Sequence, residues 1–395
     1  MVKQITVFVL LIFLCRNVYC DSSALQTYKQ RFSRADLSAK TEILENAAYD
    51  RALGWSVGPF YEYALRFALD NSGLLKNDPD MIKVIEVSVN GLRNTGYSAS
   101  LDTLWSLFLE YKDSPVSAEI LVTMGKLGRG NRNIINNINN YLLEMNVLYT
   151  SGNSVDYAMF SACITAIMEL ADSSSYPALF AVLCADYPEV IAFEAQGAFE
   201  LIPGNFKQFL FDAIEKNPPE EKFAALRTGI NSERLSVSER GQLAEFALEQ
   251  SLVAHNNAAD EENMYLSAMR YSAVAALTDL RWTRANPLAI RHYYRIQSDY
   301  QHEAVSKERL LEAIALLGAV GNSDAALALV LQLGLINART ERTGIFDAEV
   351  TLAIVQALGL IGDKAAFDHL LYVSNLSYTE NIVTAAREAI GRLRW

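Results

Sequence analysis

The densest cluster of side chains able to bind a partner is the segment IRHYYRIQSDYQHE, residues 290–303. Tyrosine and arginine anchor many protein interfaces, because each combines a large planar surface with hydrogen-bond donors. On an exposed face, such side chains are suited to an acidic or aromatic partner. The candidate partner-binding residues are therefore Arg291, His292, Tyr294, Arg295 and Tyr300.

A second interpretation places the same segment in the core. Tyr293, Tyr294 and Ile296 would then pack between helices, and the arginines would form ion pairs with the acidic surface. Helical spacing buries about half of such a stretch, which favours this second interpretation. The sequence alone leaves both open.

The histidines, cysteines and glycines of the chain form no pattern that we assign to catalysis or metal binding. The four histidines, His255, His292, His302 and His369, have no HExxH spacing, and no CxxC pair occurs. No phosphate-binding glycine loop is present either. We therefore expect no cofactor, no metal ion and no enzyme activity.

Two cysteines, Cys163 and Cys184, lie at equal distances from the predicted turn at residues 172–175. In an antiparallel helix pair, residues equidistant from the turn tend to face one another. A disulfide is one interpretation, worth about 3 kcal/mol through loop closure. Two buried thiols are the other, and we favour it because a disulfide needs a narrow Cα separation.

The first 20 residues have the pattern of a signal peptide, with Lys3 followed by an apolar run and a short polar stretch. Cleavage after Cys20 would leave Asp21 as the first residue. The alternative is a lipoprotein lipidated at Cys20, which the preceding Asn-Val-Tyr disfavours. An uncleaved anchor is the third choice. Each alternative predicts a location outside the cytoplasm, either periplasmic or secreted or at the envelope.

The composition predicts a folded chain with a substantial core. It has 395 residues, of which 51% are hydrophobic and 20% charged. The formal net charge is −12, and an acidic surface repels phosphate backbones, so we expect no nucleic-acid partner.

One sequence motif, which we call the repeated phrase, occurs in two similar copies: LLGAVGNSDAALALV at Leu316–Val330 and ALGLIGDKAAFDHLL at Ala357–Leu371. It predicts two helices joined by a tight turn. Gly362 suits the left-handed position that ends a helix, and Asp363 or Asn322 can cap the next one. Gly318 and Gly359 would remove bulk where helices approach closely.

Both helices of the phrase should bury an apolar stripe. In the first helix the stripe comprises Ile354, Ala357, Leu358 and Ile361. In the second helix it comprises Phe367, Leu370, Leu371 and Val373, or, in the earlier copy, Leu327, Val330, Leu331 and Leu333. A single pair cannot cover both faces, so neighbouring pairs must stack.

Weaker copies occur upstream, anchored on large apolar residues at positions 92, 124, 168, 199 and 277. A degenerate copy is expected within 223–250, where Ser236 and Glu239 form a capping-box pattern. The two strong copies resemble HEAT and HEAT-like (phycobilisome-lyase type) repeats. The resemblance implies an all-α fold, an α-solenoid of stacked antiparallel helix pairs, over residues 81–395. Residues 21–80 would form an N-terminal helical cap or degenerate repeats.

The resemblance also implies a function. HEAT-like proteins are mostly scaffolds and adaptors, so we expect an exported adaptor that binds a protein or peptide partner on its concave face. A structural or lipid-anchored envelope component is the first alternative. An enzyme or enzyme subunit is the second, since some HEAT-like relatives are chromophore lyases. The oligomeric state is left open by the sequence.

Overall fold

The computed structural model describes residues 23–254 and 260–395, with side chains described for 23–253 and 264–395. Within these residues the chain forms 21 α-helices joined by short turns, and no β-strand. The all-α class predicted from the sequence is therefore confirmed. The helices group into two compact units, one ending at Gly204 and the other beginning at Asn205.

The helices of the first unit are α1 (residues 23–34), α2 (Leu37–Ala47), α3 (Val57–Asp70), α4 (Ser72–Leu75), α5 (Pro79–Thr95), α6 (Leu101–Tyr111), α7 (Ser117–Leu127), α8 (Arg132–Thr150), α9 (Tyr157–Leu170), α10 (Tyr176–Cys184) and α11 (Glu189–Leu201). Those of the second unit are α12 (Phe206–Lys216), α13 (Pro219–Asn231), α14 (Val237–Ala254), α15 (Asp260–Leu280), α16 (Asn286–Gln301), α17 (Lys307–Val320), α18 (Ser323–Thr343), α19 (Ala348–Ile361), α20 (Phe367–Val373) and α21 (Glu380–Gly391).

In the first unit, alternate helices pack side by side. α3 contacts α5, α5 contacts α7, α7 contacts α9, and α9 contacts α11. α2 and α3, which lie within the predicted cap at 21–80, pack directly on α5. The division between a cap and a repeat region therefore stays a prediction.

The second unit contains two rows of helices. The odd row is formed by α13, α15, α17, α19 and α21, each contacting the next. The even row is formed by α12, α14, α16, α18 and α20, again with each contacting the next. Every even-row helix also packs on the odd-row helix that follows it in sequence. This arrangement buries one face of each row against the other.

The turns follow the chemistry predicted from the repeated phrase. Gly362 is left-handed, with φ 72°, and its N–H donates to the Leu358 carbonyl one turn earlier. Asp363 Oδ1 then accepts a hydrogen bond from Ala365 N at 2.9 Å. Asn322 caps α18 in the same way. These cap predictions are confirmed, because a short polar side chain satisfies backbone N–H groups that the helix itself leaves unpaired.

The degenerate copy contains its predicted capping box. Ser236 N donates to Glu239 Oε2 at 3.0 Å, and Glu239 N donates to Ser236 Oγ at 3.3 Å. The reciprocal pair begins α14.

Successive odd-numbered helices approach closely at glycine. A Cβ added at Gly318 would lie 3.1 Å from Ala357 Cα, so only a residue without a side chain permits this separation without adjustment. The same glycine-on-alanine contact occurs three times. The pairs are Gly125 with Ala166, Gly318 with Ala357, and Gly359 with Ala389. The predicted role of Gly318 and Gly359 is confirmed.

A buried asparagine–tyrosine hydrogen bond occurs in both units. Tyr187 Oη donates to Asn146 Oδ1 at 2.9 Å, and Tyr378 Oη donates to Asn337 Oδ1 at 2.8 Å. The second set of residue numbers exceeds the first by 191, and three capping residues match at the same offset. These matching caps are Asn131 and Asn322, Asp156 and Asp347, and Asp172 and Asp363. Residues 131–187 and 322–378 therefore share one structural pattern.

None of the helices described by the structure combines the length and apolarity needed to cross a bilayer. The predicted signal peptide at residues 1–20 and the proposed cleavage or lipidation at Cys20 lie outside the described residues. They stay predictions.

Candidate partner-binding surface

The predicted binding residues all lie on α16, but they do not share one face. Arg291 is exposed, and Tyr294 has 46% of its surface exposed. Arg295 and Tyr300 are half-buried. Of the five predicted residues, Arg291 and Tyr294 are therefore the ones exposed enough to contact a partner.

His292 is a correction to the predicted surface, because it is fully buried. Neither ring nitrogen has a hydrogen-bond partner. Burial, together with the positive charges of Arg270 and Arg295, lowers its pKa to about 3. The physical reason is helical phase: His292 points towards α15, whose Tyr271 ring lies 6.4 Å away, centroid to centroid.

Arg295 forms an ion pair within its own helix. Its Nε lies 3.6 Å from Asp299 Oδ2, one turn further along α16. Tyr293, the neighbour of His292, is buried, and burial raises the pKa of its hydroxyl. The segment therefore divides between the two interpretations: His292 and Tyr293 belong to the core, and Arg291 and Tyr294 to the surface.

The next even-row helix carries an apolar stripe that the sequence analysis predicted to be buried. Leu327, Leu331 and Leu335 are 54%, 61% and 61% exposed. Val330 and Leu333 are buried as predicted. The prediction was wrong for Leu327 and Leu331 because the alanines of α18, not these leucines, occupy the close contact with neighbouring helices.

Exposed apolar side chains continue onto α20. Leu371, which was also predicted to be buried, is 47% exposed. The hydroxyl of Tyr372 donates to Glu341 Oε1 at 2.7 Å, which links α20 to α18. On the other side, a hydrogen bond from Gln297 to Gln332 joins α16 to α18. We name this set the Tyr–Leu surface. It comprises Tyr294, Leu327, Leu331, Leu335, Leu371 and Tyr372.

Positive charge lies on the same helices. Arg291, Arg339 and Arg342 are exposed, and none forms an ion pair with a described residue. Glu341, which lies between two of them, accepts the Tyr372 hydroxyl. Unpaired arginines beside apolar side chains are suited to a partner that is both apolar and acidic.

Sequence analysis missed Leu335, although one signal was present. α18 is apolar on all sides from Ala325 to Leu335. A helix that is apolar all round is either fully buried or has one apolar face for a partner. The repeat pattern led us to choose the first explanation.

The two cysteines lie on α9 and α10 and are not joined by a disulfide. Cys163 is fully buried, and burial alone raises its thiol pKa above the usual range. The predicted turn between the two helices is present at Ser173–Ser175.

One catalytic pattern was overlooked in the sequence. Gly54–Gly58 reads GWSVG, which matches the GxSxG of hydrolase nucleophile turns. That turn requires a strand before the serine, whereas Gly54–Ser56 is a 3₁₀ turn leading into α3. Both glycines have structural explanations: Gly54 has φ 49°, and a Cβ at Gly58 would lie 2.7 Å from Tyr97 Cβ.

The arrangement of possible metal ligands concerns the described part of the chain. No group of three or more His, Cys, Asp or Glu side chains there is placed to hold an ion. His255 lies outside the described residues.

A comparison with protein-family models and with curated proteins finds no match to this chain.

Proposed function

We propose that the chain is an α-solenoid of HEAT-like helix pairs that works as an adaptor. The support is the two-row packing of the second unit, the recurring glycine-on-alanine contacts and the pattern shared by residues 131–187 and 322–378. Stacked pairs of this kind present long rows of helix surface, which suit binding of extended partners.

The Tyr–Leu surface is the proposed docking site. The observation that supports it most strongly is the exposed row of Leu327, Leu331 and Leu335 on α18. Large apolar residues exposed side by side on a folded protein mark interaction surfaces. Covering each half-exposed leucine would contribute about 1 kcal/mol, before the cost of association.

The proposed occupant is an amphipathic helix of a protein partner with acidic residues beside its apolar stripe. Leucines one turn apart form a ridge that a second helix can pack against. Arg291, Arg339 and Arg342 would then pair with the partner's carboxylates. These three arginines disfavour a basic partner on their part of the surface. The exposed carboxylates of α16, α18 and α20 are Asp324, Glu341 and Asp368, of which Glu341 accepts the Tyr372 hydroxyl.

Peptide selection tests this proposal with the full chain as bait. Selection from a random library displayed on phage should enrich sequences with apolar residues spaced three and four apart and flanked by Asp or Glu. Leu331→Asp should abolish binding of a selected peptide. Leu201→Asp, on an exposed leucine of α11 in the other unit, is the matched control and should leave binding unchanged.

Two outcomes would contradict the proposal. One is enrichment of basic sequences, and the other is a selected acidic amphipathic peptide that binds Leu331→Asp as well as the wild type. Helix content measured by circular dichroism must be equal in both variants.

A further inference from the structure

A groove of about 360 Å³ lies in the odd row of the second unit, between α17 and α19. Gly318 and Ala357 line it at the point where the two helices meet. Leu311 and Leu360 provide its larger apolar side chains. The groove is open, since Leu360 is 57% exposed.

Few of the side chains that line the groove are polar. Thr278 and Gln356 contribute a hydroxyl and an amide. Among the described residues that line the groove, Arg281 is the one with a charge, and it is exposed. Its guanidinium forms no ion pair with any described residue. The groove therefore combines a mainly apolar lining with one positive charge that has no described ion-pair partner.

The backbone at Arg281 is unusual for an arginine. Its φ is 47°, in the left-handed region that favours glycine. Other odd-numbered helices end in the same conformation with small residues at this position: Gly96, Ala171 and Gly362. An arginine therefore occupies a backbone position at which glycine would be less strained.

We propose that this groove binds a large apolar side chain of a partner polypeptide, with an adjacent acidic residue of that partner paired to Arg281. The charge complementarity is specific, because no described anion lines the groove. A polypeptide suits the site better than a free fatty acid, since pockets for small ligands enclose most of the ligand and this groove does not. A partner's body would cover the exposed Leu360.

The inference is independent of the Tyr–Leu surface. That surface belongs to the even row, whereas the groove belongs to the odd row of the same unit. Loss of binding at one site leaves the other testable.

Methyl NMR on the full chain tests the proposal, with labelled leucine methyl groups at Leu311 and Leu360 as reporters. The probes are four acetylated dipeptide amides and one lipid: Leu-Glu, Leu-Gln, Leu-Lys, Ala-Glu and decanoate. We expect saturable shifts with Leu-Glu at millimolar concentration. Binding should be about fivefold weaker for Leu-Gln, and weaker still for Leu-Lys and Ala-Glu.

Arg281→Gly provides a variant in which folding and binding should change in opposite directions. It should weaken Leu-Glu binding to the Leu-Gln level while keeping or raising the melting temperature, because glycine relieves the left-handed backbone. Ala171→Gly makes the same backbone change at the end of α9 and should leave binding unaltered.

Three results would overturn the proposal. They are an absence of saturable shifts with Leu-Glu, equal binding of Leu-Glu and Leu-Lys, and unchanged Leu-Glu binding in Arg281→Gly. Tighter binding of decanoate than of Leu-Glu would also overturn it and would identify a lipid site.

Discussion

His292 is a buried base close to the positive charges of Arg270 and Arg295. Its burial should make the free energy of unfolding depend on pH. Its folded-state pKa is about 3, below the value of 6.5 for an unperturbed histidine. The unfolded chain therefore takes up a proton first. Stability is lost as pH falls below about 6.5 and continues to fall until the folded-state pKa is reached.

Between pH 7 and pH 5 this residue should cost about 2 kcal/mol of unfolding free energy. His292→Phe cannot be protonated and fills a similar volume, so its stability should depend less on pH over that range. Urea denaturation at both pH values measures the difference. His302→Gln removes an exposed histidine and should keep the wild-type slope; equal slopes for His292→Phe and wild type would refute the assignment.

The thiols of Cys163 and Cys184 should both be reduced in the purified protein. Cys163 should resist iodoacetamide in the native state, because it is buried and its thiol pKa is raised. Both should be alkylated after denaturation without reductant. Mass spectrometry reads out the mass added, and a species two mass units lighter that resists alkylation would show a disulfide.

At the residue scale, sequence reasoning found the caps but not the phase of α16. Gly362, Asp363 and Asn322 have roles fixed by local backbone chemistry, which a short stretch of sequence contains. The burial of His292 depends on which way α16 turns relative to α15. Tyr293 and Tyr294 are equally apolar in sequence, so pattern alone could not separate them.

Helix pairs in this protein depend on glycine at close contacts, and two glycines allow a matched test. A Cβ at Gly125 of α7 would lie 2.5 Å from Ala166 Cα, whereas one at Gly197 of α11 would meet no atom within 4 Å. Gly125→Ala should therefore destabilise the fold by about 2 kcal/mol. Gly197→Ala should stabilise it by up to about 1 kcal/mol, because alanine favours helix.

Chemical denaturation of the two variants checks this prediction. A Gly125→Ala protein as stable as Gly197→Ala would mean that α7 and α9 are not held at the described separation.

At the element scale, periodicity predicted helices and turns well but assigned the wrong face to one helix. α18 offers leucines or alanines on every side, so hydrophobicity cannot say which side is buried. The structure uses Ala325, Ala326 and Ala328 for close packing, which leaves Leu327 and Leu331 exposed. Asn139 and Asn146 of α8 show the reverse, since these polar side chains are buried. Asn146 accepts a hydrogen bond from Tyr187 that no local pattern reveals.

The whole chain is acidic, with a net charge of −12, so a surface bearing unpaired arginines stands out against it. Binding of an acidic amphipathic peptide should weaken as salt is raised, because exposed charge pairs are screened. Arg291→Ala/Tyr294→Ala should reduce both the affinity and its dependence on salt. Titration at two ionic strengths measures this, and an unchanged affinity would remove α16 from the proposed site.

At the scale of the molecule, repetition in the sequence predicted stacked helix pairs, and the described helices do pack in alternating series within each unit. The boundary at Gly204 could not be predicted. Pro203 and Gly204 lie at this boundary, but they also form the turn of the weak copy near residue 199, so the repeat pattern gives no sign of a division there.

Hydrogen exchange of the full chain, with and without a selected acidic amphipathic peptide, tests the central proposal most directly. The peptide should slow exchange in α16, α18 and α20 and leave the first unit unchanged. Hydroxyl-radical labelling of Tyr294, Leu331 and Tyr372 should fall in parallel. Protection confined to other helices, with these three side chains still fully labelled, would contradict the assignment of the Tyr–Leu surface as the partner-binding site.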